Sequence, residues 1–517
     1  MIKIKKIALT IISLLIILII AGYFLITSTY GIKNIVLPIV ESSTGSKINV
    51  DKIDFSLFKS KIFLTKLNAD SPGNFDIKIE KLDCNFNIFA ILAKDIDISH
   101  LYMENSYITF VGNKKSIENK ASEKNETAKT NFLNQYSFNL NDIHLKNINA
   151  TYVNVHKNES PKSTFSIKNL DVNIPYFKTG GIGQTAFSGN IEIHNEANSN
   201  SLNNKISAKI ESKIDNKNIP EDLKGIINIT NENNAESSIT FNLSSTENNY
   251  KRPYTLNLTV NNLYLGPYFG VFLPEAYKNS EATIKSLNLE SSGPNLLSDK
   301  ILEECTGSLN LDANNVIIPI QLQKNEITNV IFMPIEIMSN LMQYVTPDMQ
   351  SFIPENVNEV ISQTAMIING VKPLNFHTGT INTNFKNGNY HINNINFEGG
   401  WNSIVSAIKI TGTIANDGKI NIQTNTTLHA ISFPIKIVGT LKNPKPDMSK
   451  IIPQLIHSNI SNILQTTKNG TKDIGRELQK NAENLLNGFI ENSKKVENKT
   501  NNPVNDIINK VNSIFGN

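Results

Sequence analysis

The sequence predicts a mainly β fold: a long, curled antiparallel sheet with an apolar groove. One N-terminal transmembrane helix precedes it, a helical insertion interrupts it and amphipathic helices follow. Three observations carry this expectation. Short segments alternate apolar and polar residues with a period of two, as in Tyr254-Thr-Leu256-Asn-Leu258-Thr-Val260. The polar face of each strand is Asn, Thr, Ser or Lys, whereas a parallel sheet covered on both sides shows continuous apolar runs. Between Phe138 and Leu322 the helical stretches that βαβ crossovers need are missing.

Residues 7–26 form an apolar run broken only by Thr10, Ser13 and Tyr23. At ~1.5 Å per residue such a helix reaches ~30 Å, the thickness of a hydrocarbon core. Lys3, Lys5 and Lys6 precede it, which places the N-terminus in the cytoplasm and the body outside. The competing reading is a cleaved signal peptide, which wants a shorter core and small residues where Tyr23, Phe24 and Leu25 stand. An uncleaved single-pass anchor in a bacterial inner membrane is therefore expected, with a periplasmic body.

Of the 517 residues only 18% are charged, and the net charge is +3. Nucleic acid is not an expected partner, because phosphate neutralisation needs clustered Lys and Arg. Cys84 and Cys305 lie far apart without metal spacing, so two buried free thiols are expected over a disulfide.

Composition divides the chain into a tip and anchor (1–30), an N-terminal β region (31–112) and a solvated, flexible linker (113–131). A central β region (132–323), a helical insertion (324–371), a C-terminal β region (372–446) and an amphipathic helical tail (447–517) follow. The insertion rests on helical spacing at Ile335, Met338, Leu341, Met342 and Val345, and on Pro354 opening a second piece. It either caps the groove or packs outside the sheet. The tail either touches a membrane or partner or caps the sheet's end. Turns at Lys386-Asn387-Gly388 and Asn416-Asp417-Gly418 mark two hairpins.

An apolar sheet face must be buried or presented to something apolar. A second layer would bury it. A curled single sheet would leave a trough lined by residues such as Leu256, Leu258, Val260, Ile435 and Ile437, suited to acyl chains at ~0.8 kcal/mol per methylene. Alternation alone does not separate the two.

Chemistry is sparse. The eight histidines are scattered; His377 and His391 could face each other across a hairpin. No zinc motif, nucleophile elbow or P-loop occurs. Gly180-Gly181-Ile-Gly183 lacks a dinucleotide fingerprint's third glycine and reads as a loop. Glu303-Glu304 finds no acid–base partner, and Trp401 after Gly399-Gly400 stands at a rim or packs behind a turn. No enzyme, metal or cofactor is expected.

Three phrases resemble the AsmA family of envelope proteins. They are Gly45-Ser-Lys-Ile48-Asn-Val50-Asp-Lys-Ile53-Asp-Phe55-Ser-Leu57-Phe58 behind the anchor, Phe165-Ser-Ile167-Lys-Asn-Leu170-Asp-Val172-Asn-Ile174, and Phe433-Pro-Ile435-Lys-Ile437-Val-Gly439-Thr-Leu441 running into Pro444 and Pro446. The resemblance implies an open β-groove that holds phospholipid and serves intermembrane lipid transport or outer-membrane biogenesis. About 30 strands at ~4.8 Å would reach at most ~140 Å, short for a single-molecule bridge and implying a partner or a shuttling role. The rival from another class is an envelope scaffold that binds outer-membrane proteins through strand edges. An envelope hydrolase is the third reading, and the absent motifs stand against it.

Overall fold

The structure is a computed structural model that describes residues 34, 37–56, 60–71, 74–87, 89–90, 93–113, 136–155, 163–195, 200–248, 251–272, 279–319, 366, 373–399, 405–428 and 431–447. Its described strands number nineteen, in one open and mostly antiparallel sheet. They divide between two compact units, residues 1–249 with 254–258, and residues 250–253 with 259–517.

The first unit holds β1 (Lys47–Ser56), β2 (Lys61–Ser71), β3 (Phe75–Phe86), β4 (Asp95–Asn113), β5 (Ser137–Val155), β6 (Ser163–Lys178), β7 (Ile182–Asn195), β8 (Asn200–Ile214), β9 (Pro220–Asn231) and β10 (Glu236–Ser245). Each strand pairs with the next in chain order. All these pairs are antiparallel except β4–β5, which is parallel with Asp95 opposite Ser137 and Asn113 opposite Val155. Asn113 and Ser137 therefore lie at opposite ends of that pair. A short helix, α1 (Leu37–Thr44), leads into β1. The Ile48 N–H donates to the Glu41 carboxylate at 2.6 Å, which fills an edge position of β1 that could otherwise template another strand.

The second unit holds β12 (Glu281–Gly293), β13 (Thr306–Ile318), β14 (Leu374–Lys386), β15 (Asn389–Glu398), β16 (Val405–Ile414), β17 (Lys419–Leu428), β18 (Ile431–Thr440) and β19 (Asn443–Asp447), again paired in chain order. Strand β11 (Tyr254–Tyr264) begins in the first unit and ends in the second. Two short helices, α2 (Gly266–Phe272) and α3 (Ile301–Glu304), interrupt the β order. The core of this unit gathers alternate residues of β16, β17 and β18, among them Ile408, Ile410, Ile422, Ile435 and Ile437, with Leu265 and Phe269 packed against it. In β19 the prolines at 444 and 446 have no N–H to offer, which suits a strand at an edge.

Several expectations are corrected. Sequence alternation suggested about 30 strands; the described strands are fewer because they are longer, β4 and β5 having 19 residues each. Both change the parity of their alternation partway, at Asn105 in β4 and Asn147 in β5, so one strand reads as two. The antiparallel expectation fails at β4–β5. His377 and His391 do not oppose each other, since His391 sits opposite Asn384. Helices α1, α2 and α3 stand where only β structure was expected, and β19 carries strand structure into the prolines that were expected to lead into the helical tail. The hairpins at 386–388 and 416–418 are present as expected, and Gly180-Gly181 lies in the turn between β6 and β7. Cys84 and Cys305 are both free and buried.

No helix among the described residues is long and apolar enough to cross a membrane. The expected anchor at 7–26, the linker at 113–131 beyond its first residue, Trp401 and the C-terminal helices beyond Asp447 lie outside the described residues, as does the helical insertion apart from Met366; Asn113 and Asp447 themselves end strands β4 and β19.

Candidate functional site

In the first unit, registers line apolar residues up in rows that run from strand to strand. Reading across partners from Ile53 gives Leu64, Leu82, Met103, Leu145, Val172, Phe187, Ala208, Ile227 and Ile239. A second row starts at Ile48 and passes through Ala69, Ile77, Ile108, Ala150, Ile167 and Ile191. A third joins Phe55, Ile62, Cys84, Leu101, Ile143 and Ile174. Directly opposed residues share a face, and none in these rows is charged. At ~4.8 Å per strand the first row extends about 43 Å.

One irregularity keeps the rows on a single face. Val50 and Ile53 are three positions apart, yet both pack in one cluster with Leu64, Leu67, Ile79 and Leu82. A simple strand would send residues three apart to opposite faces. The shift in β1 falls level with Lys66 of β2, which is left-handed, as are Asn105 in β4 and Asn147 in β5, with φ near +50°, and Asn169 in β6. Asn tolerates that conformation better than branched residues do.

The opposite face is polar. It carries the ion pairs Lys61–Asp83, Lys168–Glu192 and Lys224–Glu211. All are partly exposed, where such pairs stabilise by ~0–1 kcal/mol each. The sheet is thus apolar on one side and charged on the other.

Burial of the apolar face differs between the units. In the first, Ile53, Leu64 and Ala208 are buried, while Leu82, Met103, Leu145, Val172, Phe187, Ile227 and Ile239 are only half-buried. Full burial of such side chains stabilises by ~1.5–3 kcal/mol each, so much of that surface remains unrealised. Phe110, Tyr152 and Phe165, adjacent partners at one end of β4, β5 and β6, are 49%, 45% and 39% exposed. In the second unit burial is deepest on β16–β18, where Ile435 and Ile437 are 0% exposed, while Leu287, Leu311, Ile381 and Ile395 are half-buried.

Among the lining residues expected from sequence, Leu256 and Leu258 are half-buried in the first unit, and Val260 is buried in the second. Ile435 and Ile437 lie adjacent on β18. The rows from Ile48, Ile53 and Phe55 escaped sequence reading, although their residues alternate visibly within each half-strand.

The structure also assembles a polar cluster that the scattered histidines did not suggest. His100 Nδ1 lies 2.6 Å from Asp142 Oδ2, and His144 Nε2 lies 2.9 Å from Asp142 Oδ1. The parallel register brings them together on the polar side of β4 and β5. The hydrogen bond from His100, then that from His144, hold the Asp142 carboxyl below the usual range. Among the described residues no set of three or more His, Cys, Asp and Glu side chains is placed to hold a metal ion. In sequence, no protein-family model and no curated protein matches the chain.

Proposed function

We propose that this chain is an AsmA-like protein of the cell envelope, anchored in the inner membrane by residues 7–26, with its body in the periplasm. The apolar side of its sheet binds phospholipid acyl chains and serves intermembrane lipid transport or outer-membrane biogenesis. The observation that carries this reading is the row from Ile53 to Ile239, uncharged across ten strands and half-open over most of its length. A surface of that extent and apolarity on one side of a sheet needs an apolar partner. Acyl chains meet that need while headgroups stay in water.

The scaffold reading needs an edge that accepts a further strand. The Glu41 carboxylate on Ile48 and the prolines of β19 work against it at β1 and β19. The test is transfer of a fluorescent phospholipid from donor to acceptor vesicles by the full chain. Transfer that rises with protein concentration supports the proposal. Absence of transfer, together with retention of unfolded outer-membrane protein, supports the scaffold.

A further inference from the structure

The apolar face of the first unit has a defined width. Phe165 and Phe177 mark its two ends on β6, and their partners on β7, Ile193 and Gly183, are ten residues apart. At ~3.3 Å per residue this is about 33 Å. That matches the ~30 Å hydrocarbon core of a bilayer, which is two acyl chains laid end to end. The ends are aromatic where the middle is aliphatic. One rim carries Phe110, Tyr152 and Phe165, all exposed, and the other carries Phe177 and Phe86, with Phe86 stacked on Phe55 at 6.5 Å. Aromatic rows flanking an aliphatic band are what lipid-facing β-surfaces present at the headgroup level.

We infer that phospholipids lie on this unit with their acyl chains parallel to the strands, in two columns. Headgroups sit at the two rims, and chain ends meet over the middle row near Leu82 and Val172. This rests on the lipid-binding reading and adds orientation and stoichiometry to it. With the chains crossing the rows, lipids lie side by side along them, so occupancy follows strand number and not the length of one continuous channel.

The test uses the full chain with phosphatidylethanolamine–phosphatidylglycerol vesicles carrying a phospholipid whose diazirine sits either near the acyl carbonyl or at the chain terminus. Cross-linked residues are mapped by peptide mass spectrometry. The expected result is rim labelling (Phe110, Tyr152, Phe177) from the carbonyl probe and middle-row labelling (Met103, Val172) from the terminal probe. Labelling of rim and middle by both probes alike would overturn the orientation and leave lipid binding standing. No cross-link on the apolar face with either probe would overturn both.

Discussion

Across the parallel β4–β5 pair, the Asn147 side-chain amide donates to the Asn105 side-chain oxygen at 2.6 Å, and both residues hold left-handed backbones at φ +53° and +49°. The two kinks fall side by side because the register pairs Glu104 with Lys146 and Ser106 with Ile148. Each kink resets the alternation, so apolar residues on both sides of it stay on one face.

Replacing Asn147 by Val removes the hydrogen bond and places a branched residue in the left-handed region. About 1–2 kcal/mol of destabilisation is expected from the backbone alone, with about 1 kcal/mol more from the lost bond. Urea unfolding checks it, with Asn147→Gly expected to recover the backbone part. A Val variant as stable as the parent would show that the kink is not needed.

Gly307 offers a packing test. A Cβ there would collide with the Glu290 carbonyl oxygen and lie 2.7 Å from the Phe385 ring. Phe385 in turn packs against Tyr390 at 6.3 Å between ring centres. Gly307→Ala must therefore push two strands apart, and overpacking of this kind costs about 1–3 kcal/mol. Thermal unfolding that leaves the midpoint unchanged would refute the close approach.

The Asp142 carboxyl gives a pH prediction. Its folded-state pKa is lowered, by His100 first and His144 second, so its stabilising contribution is present above the ordinary carboxylate range. It fades as pH falls through the lowered value. Carboxyl NMR should find Asp142 titrating below free aspartate, moving upward in His100→Ala and less in His144→Ala. Titration at the ordinary position in the parent would remove the cluster.

Cys84 is buried, and burial pushes its thiol pKa up, with the Asp83 charge adding to the effect. Since the thiolate is the reactive form, a Cys305→Ala protein should react with a thiol reagent at pH 8 only on unfolding. Labelling of the native protein at the rate of a free thiol would contradict the placement.

The fold class was legible because period-two alternation is a direct imprint of a one-sided sheet, and the turns at 387–388 and 416–418 carry their own left-handed signal in Asn387, Gly388 and Gly418. The strand count was not. In β4 the inward set Leu101, Met103 shifts parity to the buried Ser106 and then Ile108 and Phe110, and nothing but Asn105 announces that one strand continues through the shift. The parallel pairing was hidden for another reason: antiparallel and parallel partners leave the same alternation when one face is polar. The His100–Asp142–His144 cluster depends on that pairing, so its members, 42 and 44 positions apart from His100, could not be brought together by spacing. The same register places the half-open rows in the first unit; of the lining residues expected from sequence, Leu256 and Leu258 are half-buried, whereas Ile435 and Ile437 are fully buried.

The most direct measurement is native mass spectrometry of the full chain released from membranes, comparing two charge insertions of equal size. Val172→Asp falls in the middle of the apolar row, and Asn228→Asp falls on the exposed polar side of β9. Several phospholipids bound to the parent and to Asn228→Asp, with most lost in a folded Val172→Asp, is the predicted result. Equal lipid occupancy in both folded variants, or none in the parent, would contradict the apolar face as a lipid-binding surface.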